Sequence, residues 1–358
     1  MMAPDDVGRN PIGESQVGES QVGKSNSDGY KLCATAFWVT NPAEGELRRE
    51  TLAHPAQDEV LVRTLYSGIS RGTESLVFNG RVPESEFSRM QAPFQAGEFP
   101  APVKYGYCSV GQVEYGPDNL LHKTVFCLFP HQDYYVVPAT AVLEVPANVP
   151  AKRAVLAANM ETAINGVWDA EPMLGERICV IGAGVVGTLV AYLCAQIPGV
   201  DVHLVDINPE RRQLAEQLGI AFCTSEHAPQ DQDCVIHASG HPEGLRQALE
   251  VVGSEGRIIE MSWFGEGNVS IPLGGAFHSQ RLTLKASQVG QLPPKLRPRW
   301  DYQRRLALAL SLLADERLDA LISDESDFAQ LTTLAPKLFG PESTALCHRL
   351  RYCLHDPS

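Results

Sequence analysis

The chain has 358 residues, 44% hydrophobic and 20% charged, enough apolar material for a sizeable core and, at this length, for two domains. Its 29 Lys and Arg against 43 Asp and Glu leave a net charge of -14, the wrong sign for a surface that neutralises phosphate, so nucleic acid and anionic membrane are not expected partners. Nine cysteines form no C-x-x-C pair, which points to reduced thiols and a cytoplasmic setting, and MMAPDDVGRN lacks the basic and apolar regions of a secretory leader.

Residues 1–28 are rich in Gly, Ser, Gln and Glu and repeat GESQV, a composition too poor in apolar groups to order itself, so a disordered tail is expected. From 29 to 150 short β-rich stretches (CATAFWV, EVLVRTLYSGI, SVGQVEYG, TVFCLF, DYYVVPA) alternate with turn signals and predict an irregular β unit. From 151 to 317 strands alternate with helical spans, predicting βαβ units, a parallel sheet and an overall α/β class. An amphipathic helix is expected at about Tyr302 to Asp315. Residues 318–358 end in a β-like ALCHRLRY, which predicts a return to the first unit.

The run Ile178 to Val200 has 23 residues without a charge, long enough to cross a bilayer. Its pattern is instead a β-branched strand, a glycine turn and a helix, as in a buried parallel strand and its covering helix, so no membrane span is expected.

That turn carries the strongest chemical signal. Gly182, Gly184 and Gly187, with Val185 and Val186 between them, form G-x-G-x-x-G after an apolar strand and before a helix. The first glycine permits the tight turn, the second lets a pyrophosphate approach the backbone, and the third allows close helix packing. The next strand ends at Asp206, 19 residues beyond Gly187, where an acid accepts hydrogen bonds from ribose hydroxyls and repels a 2′-phosphate. NAD(H) is therefore expected over NADP(H), with Arg211 and Arg212 in the following turn keeping the second open. Ser239 and Gly240 end a further strand and should open onto the same crevice. Trp263 and Phe264, after GRIIEMS, suit packing as well as a ligand.

With SGISRGTE (Ser67 to Glu74), the GR-x-P at Gly80 to Pro83, GYCSVGQV (Gly106 to Val113) and HQDYYVVPA (His131 to Ala139) added, the sequence resembles the medium-chain dehydrogenase/reductases, most nearly their bacteriochlorophyllide dehydrogenase-like branch. The resemblance implies a GroES-like β domain, a doubly wound Rossmann domain, a C-terminal return and a small-molecule substrate. It also implies a homodimer through the Rossmann edge. Zinc-dependent relatives place a Cys and a His where this chain has Ser70 and Tyr107, so zinc is not expected. Ser70 and Tyr107 would then orient or protonate the substrate oxygen, or simply fill the former metal space. By the same resemblance Thr162 lies near the nicotinamide amide, and Glu161 faces the cleft or solvent and is counted with Ser70 and Tyr107 as a catalytic candidate. Arg71 and Glu74 form either an anion site or an exposed ion pair, and His131 is expected to be structural. The function implied is zinc-independent hydride transfer between NAD(H) and an alcohol, carbonyl or activated alkene. The alternatives are a nucleotide-binding scaffold or sensor without turnover, and a zinc enzyme with an unusual set such as Cys108, Glu161 and water.

Overall fold

The computed structural model describes residues 32–353; the expected tail at 1–28 lies outside them. The chain begins with strands β1 (Cys33–Asn41), β2 (Glu44–Thr51) and β3 (Glu59–Ile69), followed by helix α1 (Arg71–Phe78). Six short strands follow: β4 (Ala96–Gly97), β5 (Val103–Lys104), β6 (Ser109–Tyr115), β7 (Thr124–Cys127), β8 (Tyr134–Pro138) and β9 (Val142–Glu144). Alternation of buried and half-exposed residues along β1 and β3 is what a strand with one face on the core requires.

Helices α2 (Ala151–Ala154) and α3 (Ala157–Ala170) lead into β10 (Arg177–Ile181), α4 (Val185–Cys194), β11 (Asp201–Asp206), α5 (Arg211–Gln217), β12 (Ala221–Thr224) and β13 (Gln232–His237). Then come α6 (Pro242–Val251), β14 (Val252–Glu260), α7 (Ala276–Ser279), β15 (Thr283–Ala286) and α8 (Tyr302–Leu312). Asp301 caps α8, accepting from the Arg304 amide at 2.7 Å. These strands form a six-stranded parallel sheet in the order β12-β11-β10-β13-β14-β15. Numbered within the sheet this is 3-2-1-4-5-6, the doubly wound order in which ligands bind outside the carboxyl ends of the strands where the winding reverses. Here that point lies between β10 and β13, whose last residues Ile181 and His237 are register partners.

The run Ile178 to Val200 is thus most of β10, a turn, all of α4 and the segment after it, and among the described residues no helix is long and apolar enough to cross a membrane. After α8 the chain forms β16 (Ile322–Asp327), α9 (Leu331–Leu338) and β17 (Cys347–Arg351). β17 runs antiparallel to β3, pairing Leu350 with Ser67, and so joins the sheet that also holds β6, β7 and β9. All nine cysteines are free thiols.

Candidate active site

At the winding reversal the glycine turn has the geometry its residues promise. Gly182 has φ 109°, and a Cβ there would sit 2.6 Å from the Ser239 amide nitrogen. A Cβ on Gly187 would lie within 1.9 Å of the Gly182 carbonyl oxygen, so only hydrogen lets α4 pack against the turn. Gly184, the N-cap of α4, is exposed, and a Cβ added to it would meet nothing within 4 Å. The turn is therefore closed on its protein side and open on the side from which a pyrophosphate would approach, with the partly exposed first turn of α4, Val185 and Val186, beside it.

Asp206, at the end of β11, is tied to that turn. Its Oδ2 accepts from the Ala183 amide at 2.7 Å, and its Oδ1 from the Asn208 amide at 2.8 Å. Arg211 donates to the Thr344 carbonyl at 2.6 Å and borders a polar hollow of about 270 Å³ that Asn208 and Gln213 also line. Arg212 turns away, its guanidinium stacked 5.0 Å from the Phe222 ring. Ser239 and Gly240 follow β13 and are exposed beside Gly182. Thr162 is half-buried on α3, its hydroxyl donating to the Ala158 carbonyl at 2.9 Å.

A second cluster assembles around Ser70, where β3 passes into α1. Its amide donates to Glu74 Oε1 at 2.7 Å, and its Oγ accepts from Asn159 Nδ2 at 3.0 Å. The Tyr107 phenol lies near the Ser70 side chain. Burial, and then the neighbouring Tyr105, Glu74 and Cys108, push the Tyr107 hydroxyl well above its ordinary pKa, and the nearby Ser70 hydroxyl offsets only part of this. Tyr107 stays protonated at neutral pH and can donate. Asn159 is the residue the sequence reading missed. It lies three positions before Thr162, one helical turn away, which was the available signal.

Glu161 is not in this cluster, which corrects the expectation that it faces the cleft or solvent. It is 5% exposed and meets Arg305 of α8, whose Nε donates to Oε1 at 3.0 Å. Desolvation pushes its carboxyl above the ordinary range, against the pull of Arg305. Nor do Arg71 and Glu74 pair. Glu74 is buried and its Oε2 lies 2.9 Å from His131 Nε2, while His131 Nδ1 lies 2.7 Å from Ser67 Oγ. His131 is thus fully partnered inside the protein. Arg71 is half-buried, and burial, then the charge of Arg211, lower its pKa. Trp263 packs against the core of the β unit, and Phe264 against that of the parallel sheet.

The residues standing where a metal would be expected do not fit tetrahedral zinc. Ser70, Tyr107 and Asn159 offer neutral oxygens and an amide, whereas such sites use thiolate, imidazole or carboxylate. Burial, then Glu74 and Cys347, hold the Cys108 thiol well above its usual pKa. Among the described residues no three His, Cys, Asp or Glu side chains converge, and Glu161 is held by Arg305.

Residues 185–309 match the family model described as "Zinc-binding dehydrogenase". An uncharacterised zinc-type alcohol dehydrogenase-like protein of Haemophilus influenzae is 28% identical over 138 residues, covering 35% of this chain and 40% of that protein. D-guloside 3-dehydrogenase of Escherichia coli is 25% identical over 306 residues, 76% of this chain and 85% of the relative. L-threonine 3-dehydrogenase of Edwardsiella ictaluri is 28% identical over 125 residues, 34% and 35% of the two chains. The chain thus spans less than half the length of the Haemophilus and Edwardsiella relatives. Among solved structures, L-idonate 5-dehydrogenase of Escherichia coli superposes with a TM-score of 0.73 at 16% identity, over 90% of this chain and 99% of that one. An Escherichia coli alcohol dehydrogenase complexed with NADH gives 0.70 at 17% identity, over 89% and 99%. A Sinorhizobium meliloti dehydrogenase bound to NADP gives 0.70 at 17%, over 90% and 100%. The fold is that of these dehydrogenases, a GroES-like β unit with a Rossmann unit.

Proposed function

We propose that this chain, which has the medium-chain dehydrogenase fold and a nucleotide half of the zinc-type alcohol dehydrogenase-like family, is a nicotinamide-dependent oxidoreductase that works without zinc on a small alcohol, carbonyl or activated alkene. The observation that carries the reading is the glycine turn closed on Ser239, open at Gly184 and bonded through Ala183 to Asp206. Gly182, Gly184, Val185, Val186 and Gly187 hold the pyrophosphate, Asp206 accepts ribose hydroxyls and so favours NAD(H) over NADP(H), and Ser239, Gly240, Thr162 and Arg211 border the same nucleotide. When bound, the nicotinamide supplies or accepts the hydride.

The chain's own part is to handle the substrate oxygen. Asn159 Nδ2 donates to Ser70 Oγ and holds it, and the Tyr107 phenol, protonated at neutral pH, stands near Ser70 as the donor to the substrate oxygen. A donor fixed before the reaction stabilises charge as it develops on oxygen. In the direction of reduction the substrate oxygen gains this hydrogen bond as its charge grows. In oxidation the same bond holds the alcohol in place.

Fluorescence titration with NADH and with NADPH, with zinc determined on the same sample and turnover measured against aldehydes, polyols and enones, tests the proposal. Preferential NADH binding, turnover and no stoichiometric zinc are expected. Binding of neither nucleotide would overturn it, and NADH binding without turnover would favour the scaffold.

A further inference from the structure

Beside the glycine turn lies a hydrogen-bonded chain whose buried members, His237 and Glu260, have no part in the scheme above. His237, the last residue of β13, is fully buried. Its Nδ1 lies 2.7 Å from Glu260 Oε2 at the end of β14, and its Nε2 lies 2.6 Å from Ser239 Oγ. Glu260 is itself fixed, since its Oε1 accepts from the Ser262 amide at 2.6 Å. Gly244 of α6 makes room for the arrangement: a Cβ there would fall 2.4 Å from Ser239 Oγ and 2.5 Å from His237 Nε2.

The bond directions follow from the donor inventory. With Glu260 ionised and the imidazole neutral, the carboxylate only accepts, so Nδ1 carries the proton, Nε2 accepts, and the Ser239 hydroxyl is the donor to Nε2. The His241 amide donates to Ser239 Oγ at 3.1 Å, and the alternative acceptor for the hydroxyl, the His241 carbonyl, is more distant at 3.5 Å. The serine proton is therefore committed inward, and the exposed Ser239 oxygen keeps one lone pair for an incoming donor.

We infer that His237 and Glu260 are positioning residues that hold Ser239 Oγ as an acceptor for a sugar hydroxyl of the nicotinamide dinucleotide. A phosphate or carboxylate would bring only lone pairs to that oxygen, whereas a ribose hydroxyl brings a proton. The inference rests on the nucleotide reading above and goes beyond it by naming the buried pair that sets the polarity of the contact.

The test is an NADH titration of the intact protein and four variants, with thermal unfolding as a check on the fold. Ser239→Ala, a surface change, should weaken NADH binding roughly fivefold, the worth of one net hydrogen bond. His237→Leu should lose about as much, and His237→Gln, which offers an acceptor to Ser239 and an N–H to Glu260, should restore affinity. Because His237 acts through Ser239, the double variant carrying Leu at 237 and Ala at 239 should bind no more weakly than Ser239→Ala alone. Losses that multiply would overturn the role of His237. Ser239→Ala within twofold of the unaltered protein would overturn the inference even if His237→Leu failed to fold. No NADH binding by the unaltered protein would overturn the nucleotide reading together with this one.

Discussion

Glu161 and Arg305 meet at 3.0 Å between α3 and α8, and neither side chain is more than 6% exposed. Arg305 also donates to the Asn165 amide oxygen and to the Val289 carbonyl. Removing one partner of a buried pair leaves an uncompensated charge, so Arg305→Leu should cost about 3–5 kcal/mol of stability. The cost also depends on pH. A carboxyl whose folded pKa is already raised favours folding at low pH and loses that contribution as pH rises through the folded value. Loss of Arg305 raises that value further, so the stability deficit, measured by denaturant unfolding, should be smaller at about pH 5 than at pH 8.

Two glycines of one turn should respond oppositely to the same substitution. Gly187→Ala places a methyl within 1.9 Å of the Gly182 carbonyl and should destabilise the Rossmann unit, lowering the midpoint of thermal unfolding. Gly184→Ala meets no protein atom, so the unfolding midpoint should hold while NADH affinity falls about tenfold or more, because the methyl stands in the path of the phosphate. Unchanged NADH affinity in Gly184→Ala would remove the pyrophosphate from this turn.

Tyr107→Phe deletes the outward donor and keeps the ring. If the phenol stabilises charge on the substrate oxygen, turnover should fall about 10²-fold or more with NADH affinity unchanged. Asn159→Ala, which removes the donor that holds Ser70, should cost less. Steady-state kinetics alongside NADH titration separates these outcomes from the packing reading, in which neither quantity moves.

Asp206→Asn removes the charge that repels a 2′-phosphate and keeps an acceptor. NADPH affinity should rise relative to NADH by about tenfold. A preference that does not shift would detach Asp206 from the ribose.

Much of this architecture could be read from residue patterns. β10 and α4 announced themselves because a β-branched run, three spaced glycines and Pro198 separate strand from helix without any knowledge of neighbours. α3 did not, because 11 of its 14 residues are buried, Asn159, Glu161, Asn165 and Asp169 among them, so its polar residues do not mark a solvent face. β2 also escaped notice: EGELRRET is polar, half exposed and at the edge of its sheet beside β1. In the turn, Gly182 and Gly187 were legible because a positive φ at the first and close backbone contacts at both require glycine. The partners of Glu161 and Ser70 were not, since Arg305 and Asn159 lie 144 and 89 positions away and only packing brings them together.

The pairing of β17 with β3 has a consequence for the order of folding. Tyr352 lies 285 positions from Ser67, yet its hydroxyl stands 2.9 Å from the Ser67 oxygen that also meets His131. Contacts of such sequence separation form late, because a long loop must close before they stabilise anything. A chain emerging from the ribosome therefore exposes the edge of β3 throughout synthesis of the Rossmann unit. The sheet that leads into Ser70 is completed only when β17 pairs with β3, so the surroundings of Ser70 and His131 depend on a strand made after the whole Rossmann unit.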